Sequence, residues 1–302
     1  MRRIVYLVCF IKLILLFSAC ATSKGAQDGV VIHNIFADMP PGALLYARID
    51  VEPSRKLVDE VLTYYKLNVK TIKTFFDRTN EVVIAVYNGQ TKVAEAPERR
   101  FLLIGYGNNY PAGLSSFSFF FNPAWRKIKS ITGKKYWKSS KNGLSLFMQK
   151  NKTHISDTDP FFIEDNVEAP ESFTVFSEGS CISAWLTNIS PLNKALERID
   201  MPITIPANAV FIAAFQQGEN WSLVLRVETP GTAQARGLVS VLSMLRAALA
   251  GNYIRDERAA AFARLLLSEP PQIDGAAFVL KSPPLSQTEL AGLIASLLIY
   301  LK

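Results

Sequence analysis

Trp125-Arg126-Lys127-Ile128-Lys129-Ser130-Ile131 leads through Thr132-Gly133 into Lys134-Lys135-Tyr136-Trp137-Lys138-Ser139. That run leads through Asn142-Gly143 into Leu144-Ser145-Leu146-Phe147-Met148-Gln149. Polar and apolar residues alternate through these runs with a period of two, the pattern of half-buried strands rather than of a helix. Asn-Gly between alternating runs is the strongest short-range hairpin signal, because the tight turn needs positive φ at its central positions. Thr132-Gly133 is a second turn signal. The stretch predicts a three-stranded antiparallel meander and so a sheet built from hairpins.

On its N-terminal side, Leu44–Ile49 follows Pro40-Pro41-Gly42 and reads as a strand. Pro53 suits a first helical turn, and Leu57, Val58, Val61, Leu62 and Tyr65 then give one apolar helical face. A short helix over Thr71–Arg78 and strands at Glu81–Tyr87 and Phe101–Tyr106 follow. Pro111 opens a segment with Leu114, Phe117, Phe119, Phe120 and Phe121, read as a buried helix.

On its C-terminal side, the reading is strands at Phe173–Phe176 and Ile182–Leu186, then a helix capped by Ser190 with Pro191 at its first position. Strands at Ala209–Gln216 and Trp221–Val227 precede helices from Thr232 to Ala250 and from Asp256 to Leu267, and a strand at Ala276–Leu280. Ser286 and Glu289 form a capping box before the apolar run Leu290–Leu301. Those 12 residues are too few to span a bilayer, which predicts a core helix.

Between Asp157 and Glu178 the chain carries Asp157, Asp159, Glu164, Asp165, Glu168, Glu171 and Glu178 and no basic residue, with Pro160 and Pro170 as punctuation. A lobe boundary is placed here. The expected fold class is α+β: two lobes, 39–160 and 161–302, each with a mainly antiparallel sheet packed by helices. Pro41–Tyr46 resembles Pro206–Phe211, and the spacing from Phe101 to Pro111 resembles that from Trp221 to Pro230. A diverged duplication and chance similarity both account for this.

With 302 residues, 49% of them hydrophobic and 20% charged, the chain has ample material for a core and too little charge for disorder. Three cysteines and two histidines exclude a disulfide framework and a Cys/His metal cage.

The chain starts Met1-Arg2-Arg3, continues with an apolar run from Ile4 to Phe17 broken only by Lys12, and reaches Ser18-Ala19-Cys20. A basic start, a short apolar stretch and small residues make a signal peptide over 1–19. Leu16-Phe17-Ser18-Ala19-Cys20 resembles the lipobox of bacterial lipoproteins, with Ser18 and Ala19 at the two positions before the cysteine and Phe17 where the family prefers Leu. The resemblance implies that Cys20 is lipidated, that residues 20–38 tether the folded part to a membrane, and that the chain resides in the cell envelope. Ala21 after the cysteine leans toward the outer membrane. Ala19-Cys20-Ala21 also fits ordinary signal cleavage after Ala21, which would release a soluble protein. Loss of 1–19 removes Arg2, Arg3 and Lys12, and +7 less these three charges leaves +4. Cys181, in an alternating run, is expected to be buried.

Catalytic templates do not match: there is no G-x-S-x-G elbow, no P-loop and no G-x-G-x-x-G. Gly105-Tyr106-Gly107 reads as a strand end, and His33 and His154 as ordinary surface or strand histidines. No catalytic residue, metal ligand or cofactor is assigned.

The feature above background is charge asymmetry. From Arg99 to Ser156 stand 11 basic residues and no Asp or Glu. Arg126, Lys127, Lys129, Lys134, Lys135, Lys138 and Lys141 fall in the meander, interleaved with Trp125, Tyr136 and Trp137. Two readings stay open: a solvated or internally neutralised face, on which Lys guards a sheet edge, or a basic surface with exposed aromatics. On the second reading the partner is anionic lipid, an acidic glycan or an envelope protein, with nucleic acid last because the chain is exported. The expected function is a membrane-anchored, non-catalytic envelope lipoprotein with a binding or assembly role. The alternative is a lipid or hydrophobic-ligand carrier, its cavity lined by Phe117–Phe121 and Leu290–Leu301.

Overall fold

The computed structural model describes residues 36–64, 77–88, 99–107, 122–141, 143–161, 167–189, 193, 205–250, 264–265 and 267–300. The signal and tether, most of the Thr71–Arg78 helix, the Pro111–Phe121 segment, the helix opened by Pro191 and most of Asp256–Leu267 lie outside them. The described residues fall into two units. One takes those up to Arg55 and those from Asp77 to Pro170; the other takes Lys56–Tyr64 and those from Glu171 onward.

In the first unit the strands are β1 (Leu45–Asp50), β2 (Thr79–Asn88), β3 (Arg99–Gly107), β4 (Trp125–Lys129), β5 (Lys135–Ser139), β6 (Ser145–Met148) and β7 (Lys152–Ser156). Helix α1 (Val51–Tyr64) follows β1 directly. The strands lie in the order β1-β2-β3-β7-β6-β5-β4, and the pairings described in this unit are antiparallel. The expected meander is β4-β5-β6. Gly133 and Gly143 both have positive φ in its turns, 83° and 73°, which their lack of a Cβ permits. The meander has a fourth strand, β7, that the reading missed: Lys150-Asn151 carries no glycine or proline to announce the turn.

Register turns alternation into faces. Leu103 pairs with Ile155, Ile155 with Leu146, Leu146 with Trp137 and Trp137 with Lys127, so one apolar row ends in a lysine on the edge strand. On the opposite face Tyr46, Ala85 and Leu102 align, and the chain from Phe36 to Ala43 lies over them. The Tyr46 hydroxyl donates to the Pro40 carbonyl at 2.8 Å and accepts from the Ala43 N–H at 3.1 Å. Tyr87 donates to the same carbonyl at 2.8 Å. Two buried phenols thus dispose of one carbonyl and hold the strap on the sheet.

The second unit contains α2 (Glu171–Ser177), β8 (Ile182–Leu186), β9 (Ala209–Gln217), β10 (Asn220–Glu228), α3 (Thr232–Ala250), β11 (Gln272–Asp274), β12 (Ala277–Lys281) and α4 (Gln287–Tyr300). Its strands run in the order β11-β12-β10-β9-β8, with antiparallel pairing. Val210, Trp221, Leu223, Val227, Phe278 and Leu280 bury one face against Leu57 of α1, Leu238 of α3 and Leu290 and Ala291 of α4. On the other face Phe173 of α2 lies edge-on to Phe211, centroids 5.4 Å apart. The capping box holds: Ser286 N–H and Oγ both donate to Glu289 Oε2 at 2.8 Å, and Glu289 N–H reaches back to Ser286 Oγ at 3.3 Å. These hydrogen bonds hold the Glu289 carboxyl below its ordinary pKa.

The class is α+β, as expected. The strand expected at Phe173–Phe176 is instead α2. Glu171 supplies an acidic first turn after Pro170, and only Phe173 of the apolar set is fully buried while Val175 is exposed, which a half-buried strand would not produce. Cys181 is buried, as expected. Both units share one plan: three consecutive strands lie side by side, and the last strand of the unit then returns beside the third, β7 on β3 and β12 on β10. In that plan β3 corresponds to β10, matching the Phe101 and Trp221 similarity. The Pro41–Tyr46 and Pro206–Phe211 similarity instead joins β1 to β9, one strand out of step.

Candidate functional site

The β4-β5 hairpin carries most of the singled-out basic residues. Arg126, Lys127 and Lys129 come from β4, Lys135 and Lys138 from β5, Lys134 from the turn between them, and Lys141 from the turn beyond β5. All are exposed except Lys138, which is half-buried. They do not form one face. Arg126 pairs with Lys138 and points to one side, whereas Lys127 and Lys129 share the other with Lys135. A period of two cannot put residues 126 and 127 on the same side, so the charge wraps around the edge strand.

The aromatics are the larger correction. Trp125, Tyr136 and Trp137 are 4%, 5% and 8% exposed, so they are core and not a stacking platform. Trp137 belongs to the apolar row, and Lys127 Nζ sits 5.6 Å from its ring centroid as a lid. Lys134 Nζ lies 4.7 Å from the Phe161 ring in the same way.

The acidic stretch does not neutralise this hairpin among the described residues. None of the seven basic side chains forms an ion pair there. Asp159 spends its carboxylate on Ser130 Oγ, at 2.6 Å, and on the Phe161 N–H, at 2.9 Å. Asp157 accepts from the Phe101 N–H at 3.2 Å. Burial pushes Asp157 up to about 6, against the pull of that hydrogen bond, its own N–H, Arg100 and Lys138. Asp157 and Asp159 thus fasten Phe101, Phe161 and Ser130, and form no ion pair with the seven basic side chains.

On β3 and β7 lies a half-buried polar group that the sequence did not announce. Asp38 accepts from the Tyr106 hydroxyl and from Lys152 Nζ, both at 2.6 Å. Burial alone would raise its pKa; the two hydrogen bonds and the charges of Lys152 and His154 outweigh this and hold it below the ordinary value. Burial, and then the carboxylate it serves, push the Tyr106 phenol well upward. His154 is on β7, as a strand histidine, but it is buried rather than polar in its surroundings. Its ring lies 5.5 Å from both Phe147 and Phe161, and its Nδ1 has no hydrogen-bond partner among the described residues. Burial, with Lys152 and Lys134 nearby and Asp38 opposing them, pulls it down to about 4. The group is a clamp: Asp38 ties the Phe36–Ala43 strap to β3 and β7.

Among the described residues no cluster of three His, Cys, Asp or Glu side chains could hold a metal. No helix among them is long and apolar enough to cross a membrane. Cys20, His33 and Phe117–Phe121 lie outside the described residues, and Leu290 and Ala291 belong to the packed core of the second unit.

No known family profile and no curated protein matches the chain. Solved structures do. Crystal form III of TP0453 superposes with a TM-score of 0.54 at 16% identity, covering 90% of this chain and 100% of that one. Form IV gives 0.54 at 16% identity, over 86% and 96% of the two chains. Form I gives 0.53 at 16% identity, over 91% and 99%. At this identity the likeness shows a shared α+β fold.

Proposed function

We propose that this chain is a lipid-anchored protein of the cell envelope with a non-catalytic binding role, and that the β4-β5 hairpin is its contact surface for an anionic partner. Cys20 is the lipidated residue and residues 20–38 are the tether. One observation carries the binding half of the reading: seven basic side chains on the β4-β5 hairpin and the turn beyond it form no ion pair among the described residues, while Asp157 and Asp159 are hydrogen-bonded to backbone and to Ser130. Like charges held together on a sheet edge cost stability, and a bound polyanion would remove that cost.

Two measurements test the halves separately. The intact mass of membrane-extracted protein, set beside Cys20→Ser, reports the anchor: acyl chains on a species beginning at Cys20 support it, and an unacylated species beginning at Thr22 sinks it. Retention on immobilised heparin reports the surface. Lys134, Lys135 and Lys138 changed together to Ser should elute at clearly lower salt; unchanged elution would remove the hairpin from the reading.

A further inference from the structure

Ile131 is 83% exposed, the most exposed large hydrophobic residue among those described. Single exposed apolar residues are common and ordinarily need no explanation. The position of this one is unusual. It sits at the tip of the β4-β5 turn, between Lys129 on one side and Lys134 and Lys135 on the other, all exposed.

The tip is built rather than loose. The Ser130 N–H donates to the Lys134 carbonyl at 2.7 Å, and the Gly133 N–H donates to the Ser130 carbonyl at 3.0 Å. The buried Ser130 hydroxyl is anchored from below by Asp159 at 2.6 Å. Ile131 is thus presented in water on a fixed turn, so placing it in an apolar medium costs little ordering.

We infer that this tip is a membrane-docking finger: Ile131 enters the acyl boundary of an anionic bilayer while Lys129, Lys134 and Lys135 lie among its headgroups. The inference rests on the hairpin reading above and deepens it by naming the partner. An acidic glycan would explain the lysines but not the apolar apex between them. A bilayer is the surface on which charge and apolar contact are stacked in that order, polar groups outside and hydrocarbon beneath. The finger also needs no helix to insert, since the turn's own backbone is hydrogen-bonded across the hairpin.

The test places an environment-sensitive nitrobenzoxadiazole dye on Thr132→Cys in the full chain carrying Cys9→Ser and Cys20→Ser, so that neither the lipid anchor nor another accessible thiol contributes. The same chain with Thr132 retained, treated alike, serves as background, since Cys181 is buried. Vesicles of phosphatidylcholine mixed with phosphatidylglycerol should shift the dye emission to the blue, and pure phosphatidylcholine should not. Ile131→Ser should raise the lipid needed for half the shift about tenfold. Changing Lys129, Lys134 and Lys135 together to Ser should raise it about 100-fold.

A chain that binds the anionic vesicles through these lysines without a dye shift overturns the finger and leaves the basic hairpin standing. Lysine-dependent heparin retention with no vesicle binding does the same and points to a soluble polyanion. A dye shift indifferent to Ile131 also overturns the finger. Indifference of both vesicles and heparin to the lysines removes the hairpin reading itself.

Discussion

Arg126 stands directly opposite Lys138 across the β4-β5 ladder, and Lys129 stands opposite Lys135 in the same way. Like charges facing each other in an antiparallel pair are destabilising, by roughly 0.2–1 kcal/mol for each pair. Arg126→Glu turns one repulsion into an attraction. It should raise thermal stability by about 0.5 kcal/mol at low salt, with the gain fading at high salt, while weakening heparin retention. A variant that is less stable at low salt would mean that the two side chains do not face each other.

Buried hydroxyls without partners give a second prediction. Ser145 in the first unit and Ser183 in the second are fully buried, and neither Oγ has a hydrogen-bond partner among the described residues. An unsatisfied buried donor costs about 1–3 kcal/mol, and alanine removes the donor while leaving a hole of a single atom. Ser145→Ala and Ser183→Ala should each stabilise the chain by about 1 kcal/mol in denaturant unfolding. Loss of stability on either change would show that the hydroxyl has a partner.

Gly107, the last residue of β3, is fixed by space. A Cβ built there would lie 2.0 Å from the Arg78 carbonyl oxygen and 2.7 Å from Thr79 Cα, both backbone atoms that cannot swing aside. Gly107→Ala should therefore destabilise by about 1–3 kcal/mol, with a lowered melting temperature. Gly237→Ala, where a Cβ meets nothing within 4 Å, is the control, and equal tolerance at both would contradict the close approach.

His154 and Asp157 oppose each other in pH dependence. His154 is held down to about 4. As pH falls below the ordinary histidine value, the unfolded chain takes up a proton that the folded one does not, and stability is lost down to about pH 4. Asp157 is pushed up to about 6. From there down to the ordinary carboxylate value the folded chain holds the extra proton, and stability is gained as pH falls. Relative to the parent chain, His154→Phe should thus become progressively more favourable from the ordinary histidine value of about 6.5 down to about pH 4. Asp157→Asn should have its greatest advantage above about pH 6 and lose it toward pH 4. Parallel profiles for the two variants would refute the opposition.

Local signals carried much of this fold. Alternation and Asn142-Gly143 announced the meander, and the Ser286–Glu289 capping box announced α4, because turns and caps are settled by residues close in sequence. Phe173–Phe176 misled for the same reason in reverse: a short apolar run fits strand and helix alike, and α2 was decided by which side chains could pack on Phe211 and Trp185.

By itself the sequence determined the hairpins, the α+β class and the accumulation of positive charge between Arg99 and Ser156, all of which depend on neighbours along the chain. The tertiary structure decided the rest. Pairing register divides Arg126 from Lys127, buries Trp125, Tyr136 and Trp137, and brings Asp38 to Lys152 across 114 positions of sequence. It also commits Asp159 to Ser130, under the turn that presents Ile131 to water. Which charge meets which, and which aromatic meets solvent, are properties of register and packing, and neither exists until distant strands have paired.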